Sequence, residues 1–294
     1  MRIATHDGSF HADEVFAVAA LRLAHDDVEL VRSRDPALIA GCDLRVDVGL
    51  RNDPTTGDFD HHQKGGAGER PNGIRLASFG LVWRAFGAQV CGEPAAAERV
   101  DAILVQPVDA NDSGQTLASE AQFPGVRAMT VSHAIAAFNP PWDAEGDRGH
   151  AEDARFAEAV DFASGILERE IASARAGARA TGVVAAAIAR AADPRLIELD
   201  RSMPWREAVV AGAPEALFVV YPKGDGWSMQ TVPRELGSFG NRKDLPEAWA
   251  GRSGAELAEA TGVPDARFCH PSRFIVVAES HAGILALAGR ALAA

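Results

Sequence analysis

The sequence predicts an α/β N-terminal domain on a mainly parallel sheet, then a helical connector, then a smaller α+β C-terminal domain. Three observations lead there. Short β-branched runs alternate with amphipathic helical patterns through the first 110 residues, the signature of βαβ units. Residues 151–191 are almost wholly helical in pattern and rich in alanine. Beyond them LFVVYP (217–222) and WSMQTV (227–232) flank KGDG, a hairpin turn by composition. The boundaries are drawn at 1–145, 146–192 and 193–294.

The elements follow in order. RIAT (2–5) is a short strand, and a helix runs from Asp13 to His25. VELV (28–31) and DLRVDVG (43–49) are further strands, the second stopped by Gly49. Residues 74–87 and 93–110 each carry an apolar stripe at helical spacing. A helical stretch from 128 ends at the Pro-rich NPPWD near 142.

Composition narrows the function. A chain of 294 residues with 47% hydrophobic and 24% charged residues is an ordinary globular protein. No apolar run approaches the length of a membrane span, and the N-terminus lacks a signal-peptide pattern. Three widely spaced cysteines fit neither a disulfide framework nor a thiolate zinc site, and agree with a cytoplasmic protein. A net charge of −12 argues against a broad basic face that coats nucleic acid. It leaves room for an enzyme that holds phosphate through bound cations. A homo-oligomer is compatible with all of this.

The acidic and histidine residues of the first half fall where strands or helices end. THDGSFHADE supplies His6, His11 and Asp13, and DVG supplies Asp47. DFDHHQ supplies Asp60, His61 and His62, and DANDSG supplies Asp109 and Asp112. In open parallel sheets ligands bind at the carboxyl ends of strands, so the four segments are expected to meet on one rim. Each has a bland explanation: Asp13 as a helix cap, Asp47 at a strand end, Asp109 in an Asx turn, the His-His pair as solvated surface. One shared site is the more economical account. Imidazoles and carboxylates without thiolates suit Mn²⁺, Fe²⁺, Zn²⁺ or Mg²⁺. Two such ions held about 3.5–4 Å apart by a shared carboxylate stabilise both the attacking and the leaving oxygen in phosphoryl transfer.

These motifs, with RSRDP (32–36), ASFGLVW (77–83), VVYPKGDGWSMQTVP (219–233), LPEAWAG (245–251) and FCHPSRF (268–274), resemble the DHH phosphoesterase superfamily. The resemblance is greatest to the branch of the melanocyte-proliferating-gene product, and it covers nearly the whole chain. It implies a DHH-type catalytic domain and a metal-dependent phosphodiesterase, a 3′–5′ exonuclease acting on RNA or short oligonucleotides. It also implies two divalent ions, Mn²⁺ foremost. His6, His11 and Asp47 would hold one, and Asp13, Asp47, His61 and Asp109 the other, with Asp47 as the bridge. His62 would turn away from the ligands to protonate the leaving oxygen or hold a phosphate oxygen, and Asp60 would fix the loop or an imidazole from behind. Alternatives in other classes are a phosphatase or phosphodiesterase of a small nucleotide, an amide hydrolase, and a metal-binding protein without turnover.

Substrate contacts are expected from Lys64, in a Gly-rich loop, and from Arg75, with Arg32 and Arg34 as further phosphate clamps. His270 and Ser272 are the C-terminal candidates. One segment departs from the branch. Where a paired glycine and basic residues are usual, the chain has Val276, Val277 and Glu279. Valines would obstruct close backbone approach and the carboxylate would repel phosphate.

Overall fold

The computed structural model describes residues 1–117, 123, 125–126, 128–144, 148–238 and 240–294. The fold is α/β with two mixed sheets, and the chain divides into two units, Met1–Arg175 and Ala176–Ala294. The expected boundary at 145/146 lies outside the described residues.

The first unit opens with β1 (Arg2–Thr5), α1 (Ala12–Ala24), β2 (Glu29–Arg32), α2 (Pro36–Ala40) and β3 (Leu44–Val46). Two very short strands follow, β4 (Asn52–Asp53) and β5 (Asp58–Phe59). The sheet order is β2-β1-β3-β5-β4. All pairings are parallel except that of the edge strand β4 with β5. Alternation along the strands divides the apolar side chains between two faces. Ile3, Val46 and Phe59 join the main core, whereas Ala4 packs with Ile39 and Cys42 on the other side.

Every residue of α1 from Ala12 to Leu21 is buried, and its stripe is apolar all round apart from Asp13 and Glu14 in the first turn. Against it packs α3 (Ser78–Cys91), with the Phe16 and Phe79 rings stacked 5.4 Å apart. This helix starts four residues later than its stripe suggests. Residues 74–76 instead close a loop, through Arg70 N–H to the Ile74 carbonyl and Leu76 N–H to that of Gly68.

The stripe at 93–110 reads as one helix but folds as three pieces. These are α4 (Pro94–Val100), a π-helical stretch (Asp101–Val105) and α5 (Gln106–Asp112). Pro107 has no N–H to give to an α-helical ladder, and the wider turn before it accommodates that loss.

The helix expected over 128–142 is confined to α6 (Val131–Ala136), capped by the Thr130 hydroxyl. The long α7 (Arg148–Arg190) crosses the division between units. It is part of both cores: Phe156, Val160 and Leu167 are buried in the first, Val184 and Ala187 in the second.

The second unit contains β6 (Leu196–Glu198), α8 (Arg206–Gly212), β7 (Phe218–Lys223), β8 (Gly226–Thr231), α9 (Gly254–Thr261), β9 (Ala266–Cys269), β10 (Ile275–Ala278) and α10 (His281–Ala293). Its sheet order is β6-β7-β8-β10-β9, antiparallel except for β6 with β7. The KGDG turn forms as expected. Lys223 pairs with Gly226, which leaves Gly224 and Asp225 as a two-residue loop with Gly224 at φ +62°. Val276 and Val277 are strand residues of β10, and Val276 is fully buried in the core of this unit. Glu279 is engaged by Arg267 at 3.3 Å. Trp205 and Trp249 are core, whereas Trp142 is 86% exposed. No described helix is long and apolar enough to cross a membrane.

Candidate metal centre

The parallel strands of the first unit end at one rim, and the loops that leave them carry the site. After β1 the chain passes through His6 and Asp7 to Gly8 at φ +82° and enters α1 at His11. A capping box fixes that entry, with the His11 N–H donating to Glu14 Oε1 at 2.7 Å. Asp13 and Glu14 are thereby placed in the first turn, both with no exposed surface.

Asp47 follows β3 in the left-handed region at φ +56°, a conformation that costs a non-glycine residue energy and persists when its surroundings over-determine it. Here its N–H is held by the Phe59 carbonyl at 3.1 Å and its Oδ1 by the Ser78 hydroxyl at 2.9 Å. The two carboxylate oxygens serve different histidines. Oδ2 is 3.4 Å from His6 Nε2, whereas Oδ1 is 3.3 Å from His61 Nε2 and 3.3 Å from His62 Nδ1.

After β5 the alternation of an extended strand does not continue, so His61 and His62 do not point to opposite faces as adjacent residues of a strand would. The Asp60 side chain accepts from the His62 N–H at 2.9 Å and from the Leu50 N–H at 2.6 Å, folding the backbone into a turn. Both rings face the same cavity with centroids 4.2 Å apart. Depth separates them instead: the His61 side chain is 12% exposed and that of His62 52%. Asp60 also holds His62 Nδ1 at 2.9 Å.

DANDSG departs from expectation. Asp109 is not brought into the cluster. Its Oδ2 lies 2.6 Å from the buried Arg70 guanidinium and its Oδ1 accepts from the Gly80 N–H at 2.9 Å. Burial pushes its carboxyl up to about 7 even against Arg70. Asp112, one turn on, is the residue that reaches the site, with Oδ2 3.1 Å from His61 Nε2. Nothing in the local spacing of DANDSG announces which of the two aspartates reaches the site.

The resulting groups lie close enough to hold metal ions. Ligand atoms of Asp47, His61 and His62 lie within 4.8 Å of one another, and so do those of His11, Asp13 and Asp112. The same is true of Asp13, Glu14 and Asp47, and of His6, His11 and Glu14. The donor chemistry fits a cation. Both oxygens of Asp13 are buried without accepting a hydrogen bond, as is Oε2 of Glu14. A buried carboxylate without partners is costly unless a positive charge stands beside it.

The protonation pattern says the same. Burial, then the charges of Asp47, Glu14 and Asp112, raise the Asp13 carboxyl well above its ordinary value. Burial alone would also raise Asp47, but hydrogen bonds from His6, His61 and His62 hold it far below the usual carboxylate range. Burial would lower His6 and His61; hydrogen bonds to Asp47 and Glu14, and to Asp112 and Asp47 respectively, override it and raise both to about 10. His62 rises to about 8, chiefly through its hydrogen bond to Asp47. Protonated imidazoles thus supply the positive charge that divalent ions would bring.

The cluster opens on a cavity of about 1200 Å³ whose wall includes Pro36, Ile39, Val48 and Leu50. Neither Lys64 nor Arg75 lines it. Lys64 is exposed, and Arg75 borders a smaller cavity of about 390 Å³ beside His61 and Gly65. Arg32 is taken out of contention: its side chain is 3% exposed, 4.5 Å from the Phe156 ring centroid and paired with Asp153. His270 and Ser272 belong to the second unit, where the Ser272 N–H donates to His270 Nδ1 at 3.0 Å. Glu14, Arg70 and Ser78 were not foreseen. Glu14 stands beside Asp13 in HADE and Ser78 lies within ASFGLVW, whereas Arg70 belongs to none of the motifs.

Residues 2–292 match the sequence family MYG1_exonuc, described as "Uncharacterised protein family (UPF0160)". The human MYG1 exonuclease is 32% identical over 99% of this chain and 86% of its own length. The MYG1 protein of Schizosaccharomyces pombe is 31% identical over 99% of this chain and 97% of its own. The MYG1 protein of Chlamydia trachomatis is 31% identical over 95% of the chain and 92% of its own length. The chain belongs to the MYG1 family.

Proposed function

With that membership as premise, we propose that the protein is a metal-dependent phosphodiesterase of the DHH type, a 3′–5′ exonuclease acting on RNA or short oligonucleotides. The observation that carries the proposal is the fully buried Asp13, its oxygens without hydrogen bonds, among Glu14, Asp47, Asp112 and four imidazoles at the wall of one cavity. The name of the human relative supports a nuclease-type hydrolase.

Two divalent ions, Mn²⁺ foremost, are the proposed cofactors; when bound they supply Lewis-acid stabilisation of a phosphate and activate water. His6, His11 and Asp47 would hold one ion. Asp13, Asp47, His61 and Asp112 would hold the other, with Asp112 in the place first given to Asp109. The division of the two Asp47 oxygens between His6 and His61 favours this carboxylate as the bridge. His62 is the proton donor to the leaving oxygen: it is half-exposed to the cavity, and Asp60 holds its Nδ1 so that Nε2 is free to face substrate. Ser78 fixes the bridging carboxylate from behind.

The test is a time course on 5′-labelled single-stranded RNA with Mn²⁺. Stepwise shortening is expected, and His62→Ala should abolish it while bound metal persists. No product from RNA, dinucleotides or mononucleotides would overturn the reading. A second reading, a phosphodiesterase of small nucleotides, is favoured by one feature: the described wall of the cavity carries a single arginine and no lysine. Release from dinucleotides but not from longer RNA would select it.

A further inference from the structure

We propose that Arg34 grips the substrate's phosphate at the wall of the cavity, a role that rests on the phosphoesterase reading above. Among the described residues that line the cavity, Arg34 is the only lysine or arginine. Its Nη1 donates to the Asp7 carbonyl and, at 2.7 Å, to Asp7 Oδ1. That same carbonyl lies 2.9 Å from His6 Nδ1. One backbone oxygen therefore ties the guanidinium to an imidazole of the metal centre.

The rest of the side chain is available. Arg34 is 60% exposed, and no described hydrogen bond uses its Nη2 or Nε. Its backbone is set just before a fixed helix start, where Asp35 caps Ala37 N–H at 2.8 Å and Pro36 opens α2. A guanidinium pinned at one nitrogen and open at the others presents the forked donors that match two phosphate oxygens. The surroundings need such a group. The imidazoles and carboxylates of the cluster are the groups that would hold the ions, and the ions would supply charge to the reacting oxygens. A fixed cation to one side can hold the non-reacting ones.

The competing account is that Arg34 merely secures the loop that carries His6 and Asp7. Arg34→Gln, Arg34→Lys and Asp7→Ala in the full-length, Mn²⁺-loaded protein separate the two. The readouts are bound metal, binding of adenosine 5′-monophosphate, and KM and kcat on a dinucleotide. We expect Arg34→Gln to keep its metal, to weaken nucleotide binding and raise KM about tenfold, and to change kcat far less. Arg34→Lys should recover part of the loss, and Asp7→Ala should not reproduce it. Unchanged binding and KM in Arg34→Gln would overturn the assignment, as would a loss of metal shared by Arg34→Gln and Asp7→Ala. A wild-type protein that holds Mn²⁺ but neither binds the nucleotide nor cleaves the dinucleotide would overturn the phosphoesterase reading, and Arg34's role with it.

Discussion

Asp109 and Asp112 stand three residues apart on α5 and serve different purposes, the first clamped between Arg70 and the Gly80 N–H, the second facing His61 across 3.1 Å. The buried pair anchors the helix that delivers the exposed end of the motif to the site.

Substitution should separate the two. Asp112→Asn is expected to leave folding intact and weaken metal binding. Asp109→Ala leaves Arg70 buried with only Asp101 to answer it, and should cost about 3 kcal/mol of stability. Thermal unfolding alongside metal titration of both variants checks this. Equal metal loss without destabilisation in Asp109→Ala would refute the division of labour.

Gly80 is predicted to be irreplaceable for the same reason. A Cβ there would lie 1.9 Å from Asp109 Oδ2 and 2.9 Å from an Arg70 nitrogen. Gly80→Ala must displace the pair or the helix, at a cost of about 1–3 kcal/mol or more. A melting temperature equal to wild type would show that α3 and α5 are not locked together here.

Asp47→Asn should weaken both ions together, because one carboxylate presents one oxygen toward His6 and the other toward His61. Metal analysis after dialysis against limiting Mn²⁺ reads this directly. Loss of a single ion would refute the proposal that Asp47 bridges two.

The pH dependence has a definite sign. His6 and His61 carry protons in the metal-free fold up to about pH 10, against an ordinary value of 6.5. Their contribution to stability is full below about pH 6.5 and is lost as pH rises toward 10. Asp13, also raised, acts in the same sense. Metal-free protein should therefore melt at lower temperature at pH 9 than at pH 7, and divalent ions should narrow the gap. Binding should release protons, so metal affinity rises with pH. Calorimetry in buffers of different ionisation enthalpy measures the release; none at pH 7 would contradict the arrangement.

Much of this was legible because the motifs sit at strand ends. His6, Asp13, Asp47 and His61 meet where parallel βαβ order sends them, and the α/β character followed from alternating patterns. Two-residue strands such as β4 and β5 leave no periodic signal, and neither did β9 or β10 stand out. Asp109 pairs with Arg70 and Asp112 faces His61, a division that the hydrophobic spacing of the helix does not encode. Asp60 turns the backbone after β5, so His62 faces the same cavity as His61, a turn that no periodic pattern marks. Val276 reads as an obstruction in a motif comparison but is a core strand residue.

The central claim, that metals held by this cluster drive phosphodiester hydrolysis, is tested most directly on a single dinucleotide. Protein stripped by a chelator, then reconstituted with Mn²⁺, should be inactive before and active after, with rate rising in step with bound metal. Equal activity in the stripped protein, or none once the ions are measured in place, would contradict it.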